Sequence, residues 1–147
     1  MFWFILAILS MTAVVASYIR WAQVSSRRKR NCLITTTTQL EEALATPTAF
    51  EEWLNTKYLP FWTIGKKENP AQTPIRKWLI ECGLPPHTVV KPLDISTPLG
   101  RFDTPSWVRH FLWSGHRISR GNRITVRDAK RAMDRMRRIY PSLFQAP

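Results

Sequence analysis

The first nineteen residues, Met1–Ile19 (MFWFILAILSMTAVVASYI), contain no charged side chain. As a helix they would extend about 28 Å, close to the hydrocarbon thickness of a bilayer. Trp3 near one end, and Tyr18 and Trp21 near the other, stand where interfacial anchors are expected. Val14–Ser17 offers small residues for leader cleavage, but no basic residue precedes the apolar run, and Arg20 and the Arg27–Arg30 cluster follow it. That order of charge is the reverse of a secretory signal. The reading is an uncleaved single-pass transmembrane helix over 1–21 and a basic juxtamembrane segment over 22–37.

Retention of positive charge then places the N-terminus outside and the body in the matrix, or in the cytoplasm of a bacterium. The stretch Arg20–Gln39 is acid-free and rich in Arg, Ser and Thr, as mitochondrial targeting segments are, so the mitochondrial inner membrane is the preferred location. Arg20, Trp21, Arg27, Arg28, Lys29 and Arg30 form a basic and aromatic collar suited to anionic head groups such as cardiolipin. A topology signal without lipid specificity has the same composition.

The chain has 147 residues, enough after a span for one small domain. Eleven prolines against five glycines imply short helices joined by stiff connectors. Thr-Pro occurs at Thr46, Thr73, Thr97 and Thr104, and three of the four precede apolar residues at helical spacing. Helices are predicted near 39–45, where Thr38–Glu41 reads as a capping box, and near 47–58, where Phe50, Trp53, Leu54 and Tyr58 share a stripe. Two more fall near 74–82, closed by Gly83-Leu84-Pro85, and near 105–114, stopped at Gly115. The last, near 126–140, carries Val126, Ala129, Met133, Met136 and Tyr140 on one seam. Gly65–Thr73 and Leu84–Asp103 read as extended Pro-rich connectors, with Val89-Val90 suggesting a short strand. The fold class is therefore a single N-terminal transmembrane helix followed by a small, mostly α-helical body spanning 38–147.

Net charge is +12, and it is concentrated at the two ends of the body. Residues 20–40 hold five basic and no acidic side chains, and 101–147 hold eleven basic and three acidic. Arg outnumbers Lys fifteen to seven, which favours forked recognition of phosphate or carboxylate. Arg117, Arg120 and Arg123 recur at intervals of three around a Gly-Asn turn, and Arg127, Arg131, Arg135 and Arg138 follow on the polar side of the last helix. These seven are the candidate surface for an anionic partner. A helix-turn-helix has the same outline, but the interhelical segment is long for it and few side chains there read base edges.

Cys32 and Cys82 are too few for a secreted disulfide scaffold and read as free thiols in a reducing compartment. His87, His110, His116 and Cys82 lack metal-ligand spacing. Paired carboxylates, a nucleophile beside a base and a phosphate-binding glycine loop are all missing, and Glu41, Glu42, Glu51 and Glu52 suit the first turns of their helices. No cofactor or enzymatic activity is therefore expected. The expectation is a non-catalytic accessory subunit of a multi-subunit inner-membrane complex, such as a respiratory complex or the ATP synthase, with other subunits and anionic lipids as partners. The alternative is a membrane-tethered nucleic-acid-binding, secretion or conjugation component.

Overall fold

The computed structural model describes residues 33–145. Five α-helices and five short strands run in the order α1 (Thr37–Ala45), α2 (Thr48–Asn55), β1 (Thr63–Lys66), α3 (Pro74–Glu81), β2 (Val89–Val90), β3 (Asp94–Thr97), β4 (Gly100–Asp103), α4 (Ser106–Ile118), β5 (Arg123–Thr125) and α5 (Val126–Ile139). Single 3₁₀ turns at Pro70–Gln72 and Pro141–Phe144 complete the set. The body is mostly helical.

Local chemistry accounts for most helix ends. Thr73 Oγ1 accepts from the Arg76 amide at 3.2 Å and Pro74 opens α3, the one Thr-Pro pair in which the threonine caps a helix. At Thr46-Pro47 and Thr104-Pro105 the proline itself is the N-cap, without a side-chain bond, and Thr97-Pro98 lies at the β3–β4 turn. The capping box of α1 is built from Thr36 and Gln39, two residues earlier than the Thr38–Glu41 pattern. Gly83 takes φ 102°, and the Gly83 and Leu84 amides donate to Ile80 and Leu79, closing α3 by an αL turn. Helix α4 does not stop at Gly115: that glycine is buried, and the helix continues to Ile118. A helical glycine costs about 1 kcal/mol against alanine, too little to outweigh a packed apolar face on both sides of it.

The core is an aromatic cluster assembled from three helices, α2, α3 and α4. Phe50 of α2 lies 5.5 Å from the rings of both Trp53 and Trp78, 6.0 Å from Trp107 and 4.9 Å from Phe111, centroid to centroid. Each such pair contributes about 0.5–1.5 kcal/mol beyond the area it buries. The Trp107 indole donates to the Leu44 carbonyl at 2.7 Å and that of Trp53 to Glu81 at 2.7 Å, so two of the three tryptophans bury their rings without stranding the N–H. Helix α4 packs on α5 more extensively than any other pair of elements meets.

Both Pro-rich connectors contain sheet. β1 pairs antiparallel with β5, and β2, β3 and β4 form a three-stranded antiparallel meander. In that meander Val89 stands opposite Ser96, and Ile95, fully buried, opposite Phe102. The Arg76 guanidinium donates from α3 to the carbonyls of Thr88 and Pro86, tying the connector down. Strand pairing supplies the backbone partners that isolated proline-rich segments lack.

Two expectations are corrected. No helix among the described residues is long and apolar enough to cross a membrane; the longest, α5, has 14 residues, about 21 Å, with apolar side chains on one side only. Residues 1–21, where the span was expected, and the collar Arg20, Trp21, Arg27, Arg28, Lys29 and Arg30 lie outside the described residues. The single-pass transmembrane reading is set aside; the inner-membrane location and the lipid head-group reading rest on residues outside the described ones. Cys82 is disulfide-bonded, not a free thiol; the other cysteine of the sequence, Cys32, lies outside the described residues. The reducing compartment inferred from free thiols loses its basis.

Candidate functional site

Helix α5 begins at a complete capping box. Thr125 Oγ1 accepts from the Asp128 amide at 3.2 Å, while the Asp128 carboxylate accepts from the Thr125 hydroxyl at 2.8 Å and amide at 3.1 Å. From there Val126, Ala129, Ala132, Met133 and Met136 are buried, and Arg127, Arg131, Asp134, Arg137 and Arg138 are exposed. Lys130 and Arg135 are half-buried. Burial of one side fixes the rotation of the helix, so its arginines have a defined direction.

The seven candidate arginines do not form one site. Arg131, Arg135 and Arg138 come together with Asp134 and Ile118 around an open depression of about 330 Å³. Arg117 lies on α4 with its guanidinium 4.3 Å from the Trp113 ring centroid. Arg120 is exposed in the turn next to Gly121, whose φ of 81° the turn requires. Arg123 belongs to β5 and stands directly across from Lys66 of β1, and Arg127 is the second residue of α5.

Ion pairing separates structural arginines from available ones. Arg137 bonds to Glu51 of α2 and lies over the Phe144 ring at 4.8 Å; Arg101 pairs with Asp94 at 3.3 Å. Among the described residues these two alone, of the eleven basic side chains between 101 and 138, have a carboxylate within ion-pair distance. Glu51, expected only to favour the start of its helix, thus anchors α5 to α2.

A second exposed cluster lies beyond the end of α2. Helix α2 ends at Asn55, so Tyr58 does not extend its stripe. Tyr58, Leu59, Phe61 and Trp62 are instead solvent-facing, with Tyr58 74%, Phe61 76% and Trp62 55% exposed. The loop is pinned to the start of α5: the Val126 amide donates to the Trp62 carbonyl and the Arg127 amide to that of Pro60, both at 3.0 Å. Lys77 of α3 lies 5.6 Å from the Trp62 ring centroid. The available sequence signal was four large apolar residues in five positions around a proline, a density that helical spacing does not explain.

The three histidines are dispersed. His110 stacks on Tyr140 at 4.2 Å, and His87 and His116 are exposed on different elements. Among the described residues no three His, Cys, Asp or Glu side chains gather in a metal-binding arrangement. Comparison of the chain with protein-family models, with curated proteins and with solved structures gives no match.

Proposed function

We propose that this chain is a non-catalytic accessory component of a larger assembly, binding a partner with clustered negative charge through arginines on the polar side of α5. The supporting observation is the grouping of Arg131, Arg135 and Arg138 on one outward surface with no ion-paired carboxylate among the described residues. Guanidiniums hold phosphates and carboxylates in a fixed fork but do not exchange protons near neutral pH, so such a surface binds without reacting. The open shape of the depression suits a macromolecular surface, since small-molecule sites enclose most of their ligand.

The test uses the full-length chain and three fluorescent polyanions: poly-glutamate, duplex DNA and a single-stranded oligonucleotide. At least one should bind at low salt, with affinity falling steeply as salt rises. Replacing Arg131, Arg135 and Arg138 together by Glu should lower that affinity more than about tenfold, while circular dichroism stays that of the parent. Absence of binding to all three at low salt overturns the reading.

A further inference from the structure

The corner where the Tyr58–Trp62 loop meets β1, β5 and α5 combines two features that a free-standing domain has reason to avoid. One is the run of exposed rings. Monomeric proteins scatter single apolar residues over their surfaces, but contiguous patches mark binding. Here Tyr58, Phe61 and Trp62 are exposed on a loop fixed by Pro60 and by two backbone bonds to α5.

The other is unrelieved like charge. Lys66 and Arg123 face each other as direct partners across β1 and β5, both exposed, where like-charged pairs destabilise a sheet. Arg127 follows in the first turn of α5, the end at which a helix favours anions. Neither Lys66, Arg123 nor Arg127 has an ion-pair partner among the described residues. The first amides of α5 already donate to loop carbonyls and to the capping residues, so the attraction for an anion resides in these side chains.

We propose that this corner binds single-stranded nucleic acid, with bases stacked on Tyr58, Phe61 and Trp62 and phosphates against Lys66, Arg123 and Arg127. The inference rests on the anionic-partner reading and names the partner. Single strands alternate an accessible π face with a negative charge, which is the combination this corner lacks and can accept. A duplex offers phosphates but keeps its bases stacked inside. An acidic protein surface matches the cations and leaves the rings in water. Lys77, already beside the Trp62 ring, extends the cationic rim onto α3.

The experiment measures fluorescence anisotropy of the full-length chain with labelled oligo-dT and oligo-U of about 12 nucleotides, inside the usual site size of a small module. A duplex of equal length and poly-glutamate serve as competitors. The single strand is expected to bind more tightly than either competitor, and the two oligonucleotides distinguish DNA from RNA. Phe61→Ala and Trp62→Ala should each weaken single-strand binding by roughly 5- to 150-fold and leave duplex binding unchanged, as loss of one stacked base implies. Because both rings are exposed, the variants should unfold at the parent's denaturant midpoint; Lys66→Glu with Arg123→Glu provides a second route, removing phosphate contacts without touching a ring. Equal competition by poly-glutamate, together with unchanged single-strand affinity in the ring variants, overturns the proposal while leaving the anionic-partner reading intact. Binding to no polyanion overturns both.

Discussion

Trp53 and Phe61 stand eight residues apart in sequence and end in opposite environments, 8% and 76% exposed. Trp53 lies on α2 and stacks on Phe50, whose ring in turn meets Trp78, Trp107 and Phe111. Phe61 follows the end of that helix in a loop whose backbone is bound to α5 and whose large side chains are exposed. Hydrophobicity is the same in both places. The difference is whether the local period aims several rings at one interior point, and that separates aromatic residues that hold the fold from those available to a partner.

Four substitutions break or sharpen that contrast. Phe50→Ala removes the ring at the centre of the internal cluster and should cost about 3–5 kcal/mol, read as a large drop in the urea midpoint. A loss below about 1 kcal/mol would mean that the cluster collapses around the gap and is not the organising core. Gly65→Ala tests how tightly β1 seats beside the external loop: a Cβ there would lie 2.5 Å from Pro74 Cδ and 2.8 Å from the Gln72 carbonyl oxygen. Overpacking of that kind should destabilise by about 1–3 kcal/mol, and a neutral result would show that the β1–α3 contact yields.

Lys66→Glu turns the like-charged pair with Arg123 into an opposite-charged one and should raise stability by about 0.2–1 kcal/mol at low salt. The gain should shrink in high salt, where exposed charges are screened. An unchanged stability at low salt would indicate that the two side chains do not sense each other. Smallest of all, Phe61→Ala should shift stability by less than about 0.5 kcal/mol, since an exposed ring removed from a loop opens no cavity. If it proved as damaging as Phe50→Ala, the loop would belong to the core and its exposure would need another explanation.

Part of this arrangement is legible along the chain. The seam of Val126, Ala129, Met133 and Met136, the turn at Gly83 and the Thr73-Pro74 helix start depend on residues within a few positions of one another, and each is visible as spacing. The anionic-partner arginines were legible as a set but not as a geometry. Sequence spacing could not show that Arg137 is held by Glu51, 86 residues away, or that Arg123 would face Lys66. The Pro-rich connectors read as extended but not as sheet, because a strand of two to four residues acquires its identity from its partner.

The sequence by itself determined where helices start, which side of each is apolar, and that the excess of positive charge lies toward the C-terminus. These follow from backbone capping and from the 3.6-residue period, which act over one or two turns. Only the tertiary structure decided which aromatic residues enter the core, which strands pair and which arginines remain without a carboxylate. Those outcomes depend on groups brought together from distant positions, and a side chain's exposure is set by what the rest of the fold places against it.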